Sequence, residues 1–214
     1  MGMVNKRRIG ITTRIVNAHG YKEKRDALSQ NWVKFLEIEN IIPILIPNNL
    51  SDTSSYLEEM NIDGIILSGG DNIGDNKDRD NTEKQIIQFG IDNKLPIFGV
   101  CRGMQVLNKF FNGKINSNKN NDHVSRDHEV VILKETIFNL LNQDRIIVNS
   151  YHQNIINHDD IGKSLVSFAI NKKDNTVEGF IHKDLPIMGV MWHPERDQND
   201  IILKKFLENK LSVK

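Results

Sequence analysis

The chain has 214 residues, enough for one substantial domain and short for two, so 1–214 is read as a single unit. Its 28 basic and 28 acidic residues cancel, which leaves no electrostatic case for nucleic acid or an anionic membrane surface as partner. One cysteine excludes an internal disulfide framework and suits a reducing, cytoplasmic compartment, and no apolar run approaches membrane-spanning length.

Short apolar runs alternate with amphipathic segments, the pattern of βα units around a mostly parallel sheet. Residues 8–13 predict a first strand, and 26–40, with Leu28, Trp32, Phe35 and Leu36 at helical spacing, a helix. A strand over 42–46, a short helix over 52–60 and a strand over 64–67 follow, the last running into Ser68-Gly69-Gly70-Asp71. Next come a helix over 82–93 and a strand over 96–100. Beyond Phe111 the apolar runs are strand-like, at 128–133, 145–149, 165–171, 177–182 and 187–191, with a polar loop expected over 116–122. A last helix over 199–211 carries Ile202, Leu203, Phe206, Leu207 and Leu211 on its apolar stripe.

Cys101 sits where the 96–100 strand meets an amphipathic run, so a sharp turn would place its thiol above a sheet with a helix start behind it. A helix N-terminus favours the thiolate, the reactive form of a cysteine. Gly99 and Gly103 flank the turn where a side chain would crowd strand against helix, as in a nucleophile elbow. A core cysteine is the competing reading. Near the C-terminus another short apolar strand ends in His193-Pro194-Glu195. Residues i and i+2 of an extended segment point the same way, so the carboxylate can orient the imidazole, and a nucleophile needs such an oriented base. Ser68-Gly69-Gly70, Cys101 and His193 all fall at carboxyl ends of strands, where open α/β sheets bind ligands.

Together, Gly99-Val100-Cys101-Arg102-Gly103-Met104-Gln105 and Gly189-Val190-Met191-Trp192-His193-Pro194-Glu195 resemble the class I glutamine amidotransferase superfamily, over essentially the whole chain. Arg102 after the nucleophile looks like its γ-glutamyl hydrolase branch more than its glutaminase subunits. The resemblance implies a three-layer, flavodoxin-like α/β fold with a mostly parallel central sheet and flanking helices. It also implies a Cys101–His193–Glu195 triad that cleaves a γ-glutamyl amide through a thioester, with no metal or organic cofactor. The Gly69-Gly70 turn resembles the family's oxyanion loop, which assigns the oxyanion to the N–H groups of Gly70 and Arg102, with Gly69 as alternative. Gln105 matches the position that contacts the glutamyl group. Ser150, Tyr151 and His152 lie in a segment resembling the one that holds the glutamyl amino and carboxylate groups. His152 reads equally as a buried structural histidine.

Three readings share these residues: a hydrolase of a substituted γ-glutamyl amide, a glutaminase subunit delivering ammonia to a synthase, and a catalytically silent relative. A trimmed segment before His128 argues against γ-glutamyl-γ-aminobutyrate as substrate. Arg25-Asp26-Ala27-Leu28-Ser29-Gln30-Asn31-Trp32 resembles the subgroup that acts on γ-glutamyl-CDP-amidate in capsule phosphoramidate synthesis. Arg14, Arg25, Lys119 and Arg126 are then candidates to meet a diphosphate. The acidic stretch 71–80 matches no EF-hand register and reads as a solvated loop. His123 and His128 could ligate a metal only with help from elsewhere; no zinc site is expected, and 117–126 reads as a lid. The small-molecule substrate is the one partner the sequence indicates, and oligomeric state is not legible in it.

Overall fold

Apolar runs buried on both faces need a layer on each side, and a nine-stranded sheet between two helical layers provides it. The structure, a computed structural model, describes residues 6–118, 123–197 and 200–208. The first half contains β1 (Arg8–Thr12), β2 (Arg14–Asn17), β3 (Lys24–Ala27), α1 (Gln30–Ile38), β4 (Ile42–Ile46), α2 (Thr53–Glu59), β5 (Gly64–Leu67), α3 (Lys77–Asp92), β6 (Ile97–Val100) and α4 (Arg102–Phe110). The second contains β7 (Asn116–Ser117), β8 (His128–Ile132), α5 (Glu135–Leu141), β9 (Arg145–Val148), β10 (Asn154–Ile155), β11 (Leu165–Asn171), β12 (Val177–His182), β13 (Ile187–Val190) and α6 (Ile201–Leu207).

The sheet order is β4-β1-β5-β6-β13-β12-β11-β8-β9. Pairing is parallel from β4 through β13 and antiparallel from β13 through β9. Ile66, Phe98 and Val100 point to one face, where Trp32 and Phe35 of α1 and Phe206 of α6 cover them. Ile65, Leu67 and Ile97 point to the other, against Leu57 of α2, Ile86 and Ile87 of α3, and Met104 and Leu107 of α4. The strands β5, β6 and β13 are buried throughout, which is why they read as unbroken apolar runs. They are also neighbours, with Leu67 beside Gly99 and Val190 beside Val100. Segments far apart in the chain therefore end side by side at one edge of the sheet.

Several elements differ from the sequence expectation. The first helix begins at Gln30, not Asp26, because Ser29 caps it and Lys24–Ala27 instead pairs with Arg14–Asn17 as a hairpin. The third helix starts at Lys77, five residues before Thr82. Its first turn carries Arg79 and Asp80, so the apolar stripe begins later than the helix, and only 71–76 of the acidic stretch is loop. Helix α5 and the short β7–β10 pair lacked a periodic signal. The last helix is described over Ile201–Leu207, capped by Asp200; residue 199 and 209–211 of the expected span lie outside the described residues. No helix among the described residues is long and apolar enough to cross a membrane.

Candidate active site

Cys101 leaves β6 with φ 51° and ψ −106°, a backbone conformation that a residue with a side chain holds only under constraint. The constraint lies on both sides. A Cβ on Gly99 would sit 2.7 Å from the carbonyl carbon of Gly103, and one on Gly103 would sit 2.1 Å from the backbone oxygen of Leu67. Strand and helix thus meet backbone to backbone, a contact only glycine permits here. The thiol opens into a cavity of about 360 Å³ that also holds His193, Glu195 and Gly69-Gly70 on its wall.

His193 stands three residues past the end of β13. Its Nδ1 donates to Glu195 Oε1 at 2.8 Å, since an ionised carboxylate can only accept. Burial pushes the imidazole pKa down, but hydrogen bonds to Cys101 and Glu195 and their charges outweigh it and hold the pKa at about 9. The histidine is positioned through its backbone as well. Its N–H donates to Asn149 Oδ1 and its carbonyl accepts from Asn149 Nδ2, both at 3.0 Å. Tyr151 presents its ring edge-on to His193, and the Arg196 guanidinium stacks over that ring, 3.8 Å from its centroid.

Behind the glycine turn lies a buried ionic cluster. Glu83 of α3 accepts from Arg79 Nε at 3.0 Å through one oxygen and from Arg102 Nη1 through the other, while Arg102 Nη2 also donates to Asp80. Arg79 Nη2 donates to the carbonyls of Ser68 and Gly69, each at 3.0 Å. The side chains of Arg79 and Glu83 are fully buried. A paired guanidinium thereby fixes the carbonyls of the loop that borders Cys101, and Arg102 ties the elbow to the same carboxylate. Nothing in the apolar pattern marked Arg79 or Glu83; their i, i+4 spacing was the available signal.

The expected site residues divide. Cys101, His193, Glu195, Gly69, Gly70 and Tyr151 line the cavity together. Arg102 contributes its backbone at the start of α4, its side chain being turned into the ionic cluster. Gln105 and Ser150 are buried off the cavity wall. The Gln105 amide lies between Met191 Sδ and the Asn154 side chain, and Ser150 Oγ donates to the His123 carbonyl. His152 is also off the wall, its Nδ1 donating to the Asn154 carbonyl and its Nε2 facing Glu178. Of the arginines singled out for a diphosphate, Arg14 lines the cavity, paired with Asp71 at 2.6 Å, whereas Arg25 pairs with Glu23 outside it and Arg126 is exposed away from it. Lys119, and the 119–122 stretch of the expected lid, lie outside the described residues. Arg196, next to Glu195 in sequence, was the cavity cation not anticipated. The help that His123 and His128 lacked in sequence is present: His152 and Glu178 adjoin them.

The chain matches the peptidase C26 family over residues 8–195. It is 36% identical over 210 residues to a γ-glutamyl-CDP-amidate hydrolase of Campylobacter jejuni, covering 92% of this chain and 96% of that one. It is 32% identical over 196 residues to protein NtpR of Enterococcus hirae, covering 78% and 80%. Among solved structures, a GMP synthase subunit of Thermoplasma acidophilum superposes with a TM-score of 0.73 at 23% identity, over 98% of this chain and 94% of that one. A glutamine amidotransferase of Thermotoga maritima does so at 0.64 and 17%, over 96% and 86%. The two structures establish the fold, and the sequence match carries the assignment: the chain belongs to the peptidase C26 family, on a class I glutamine amidotransferase fold.

Proposed function

We propose that this chain hydrolyses γ-glutamyl-CDP-amidate to glutamate and CDP-amidate through a Cys101–His193–Glu195 triad. Family membership makes it a hydrolase of amide C–N bonds. The observation that carries the triad is His193 itself: its Nδ1 is occupied by Glu195, and hydrogen bonding to Cys101 and its charge help to hold its pKa at about 9, so the ring carries the proton at neutral pH and the sulfur is free to attack. The Cys101 sulfur attacks the γ-carbonyl carbon, and the oxyanion is met by the N–H groups of Gly70 and Arg102. As the C–N bond breaks, the His193 proton passes to the leaving nitrogen. Water then attacks the thioester, gives its proton to His193 and releases glutamate as the C–S bond breaks, which restores the thiolate–imidazolium pair.

The leaving group is argued from the Campylobacter jejuni relative, whose similarity extends over nearly its whole length, and from the cations at the mouth of the cavity. Arg14 and Arg196 border the same space as Cys101, where guanidinium groups would meet a diphosphate. The whole chain acts as one catalytic unit, and a free nucleophilic thiol suits the reducing cytoplasm.

The test is glutamate release from glutamine, γ-glutamyl-γ-aminobutyrate and γ-glutamyl-CDP-amidate. Release from the CDP-amidate that falls by at least about 10⁴-fold in Cys101→Ala is the expected result. Release from glutamine alone, or only once a synthase is added, would identify a glutaminase subunit instead. A rate unchanged in Cys101→Ala would remove the nucleophile assignment.

A further inference from the structure

On the antiparallel side of the sheet, away from the cavity, three histidines surround one carboxylate. His123 comes from the turn before β8, His128 opens β8, His152 follows β9, and Glu178 is the second residue of β12. One nitrogen from each histidine and one Glu178 oxygen all lie within 4.8 Å of one another. The Glu178 oxygens stand 3.6 Å from His123 Nδ1, 3.6 Å from His152 Nε2 and 3.3 Å from His128 Nε2. His123, His152 and Glu178 are at most 4% exposed. Yet among the described residues His123 Nδ1, both His128 nitrogens, His152 Nε2 and both Glu178 oxygens form no hydrogen bond of ordinary geometry.

Six unpartnered polar atoms in one buried spot would each carry a desolvation cost that native interiors avoid. A shared ligand removes the cost for the inward-facing ones at once. The spacing matches one: with metal–nitrogen and metal–oxygen distances near 2.0–2.1 Å, neighbouring ligand atoms of a tetrahedral zinc stand about 3.4 Å apart. The rings are also oriented for it from behind. His123 Nε2 donates to Asp174 Oδ2 at 2.8 Å, and His152 Nδ1 donates to the Asn154 carbonyl at 2.9 Å. Each bond places the proton on the outer nitrogen and leaves the lone pair of the inner one facing Glu178, as outer partners do in histidine metal sites. A second cavity, of about 300 Å³, reaches His123 and His128 from solvent past Asp174 and gives an ion a route in.

We propose that His123, His128, His152 and Glu178 form a zinc site, four-coordinate and structural. Three neutral imidazoles and a carboxylate leave one positive charge on the zinc complex, which Asp174 behind His123 neutralises. The ion would join β8 and β12 to the segment after β9 that carries Asn149 and Tyr151, both of which touch His193. Its role would be to hold that segment against the sheet, with the chemistry left to Cys101.

The test uses the Cys101→Ala chain, which lacks the thiol that would compete for metal in the active-site cavity. The chain is stripped with a chelator and titrated with Co²⁺, then with Zn²⁺. One equivalent of Co²⁺ should give the intense visible bands of a four-coordinate ion, be displaced by one equivalent of Zn²⁺, and indicate a Zn²⁺ Kd tighter than about 1 µM. Free Zn²⁺ at a hundredfold excess over Kd should raise Tm by about 5–10 °C. In the same background Glu178→Gln should abolish the bands, and Asp174→Asn, which keeps an oxygen acceptor for Thr176 but removes the carboxylate charge behind His123, should weaken binding about 10–100-fold. No binding, the weak bands of a six-coordinate ion, or binding unchanged by Asp174→Asn would each overturn the proposal. Should Glu178→Gln fail to fold, the spectrum of the folded Cys101→Ala chain and the effect of Asp174→Asn still decide it.

Discussion

In the proposed mechanism the chemistry turns on His193, whose charge is set by its two neighbours. The carboxylate of Glu195 and the sulfur of Cys101 hold its pKa at about 9 against burial, so the ring loses its proton only in alkaline solution. The rate kcat/KM of amide hydrolysis should therefore fall about tenfold per pH unit above 9, because the leaving nitrogen no longer finds a proton donor. Glu195→Gln removes one of the groups that raise that pKa and the acceptor that orients the ring. Activity should drop about 10²–10⁴-fold, and the alkaline limb of the profile should move toward neutral pH. A limb that stays in place would show that Glu195 does not set the histidine's charge. The same shift has a stability counterpart. A histidine whose pKa is raised on folding stabilises the fold fully below its ordinary value of 6.5, and that contribution is lost as pH rises through about 9. Urea unfolding of wild type should show this decline from 6.5 to 9, and a chain with His193→Gln should lack it.

At the scale of elements, the site depends on how closely α4 approaches β5 and β6. Gly103→Ala places a methyl group 2.1 Å from the Leu67 oxygen, and backbone cannot yield as a flexible side chain can. The elbow should loosen at a cost of about 3 kcal/mol, lowering Tm by about 6–12 °C and activity with it. Gly20→Ala meets no neighbour but forces a side chain onto φ +87°, so it separates the cost of backbone strain from that of the clash. The helix pair α3–α4 is joined by Glu83, which pairs with both Arg79 and Arg102. Burial already draws the Arg79 pKa below the ordinary arginine value, with Glu83 opposing it. Glu83→Gln would leave two buried guanidinium groups short of charge and should cost about 3–5 kcal/mol in denaturant unfolding. It should also lower kcat more than it raises KM, because Arg79 would no longer hold the Ser68 and Gly69 carbonyls in place. A purely structural role would leave the kcat of the folded fraction unchanged.

For the whole molecule, the cavity collects residues from both ends of the chain, from Arg14 to Arg196. The proposed nucleophile and base follow the parallel strands β6 and β13, whereas of the cations at the mouth Arg14 opens the β2–β3 hairpin and Arg196 lies in the short turn after His193. On the proposed reading, chemistry and leaving-group recognition would occupy different parts of one cavity. Arg14→Ala and Arg196→Ala should each raise KM for γ-glutamyl-CDP-amidate about 10–100-fold, as expected for a lost charge-assisted bond, with kcat little changed. With an uncharged γ-glutamyl amide the same variants should show no such increase. An equal loss on both substrates would place the arginines elsewhere in the mechanism, through the stacking of Arg196 on Tyr151.

Many strands of the sheet, and the residues proposed to react, were legible in the order of amino acids. Strands buried on both faces are continuous apolar runs, β4, β5, β11 and β12 have the bounds that the runs predict, and Gly99, Cys101, Gly103, His193 and Glu195 stand at or within a few residues of strand ends. Local spacing suffices for such signals, since period and i, i+2 geometry are properties of a single segment. Everything else waited on packing between distant segments, because the groups involved share no common stretch of chain. Arg79 and Asp80 interrupted the stripe of α3 and so hid its first turn, although pairing with Glu83 and Arg102 is what allows them to leave water. Asn149 holds His193 from 44 residues away. Glu178 and the three histidines around it come from separate strands and turns, and the order of the sheet, which sets β8 and β12 on either side of β11, brings their lone pairs together.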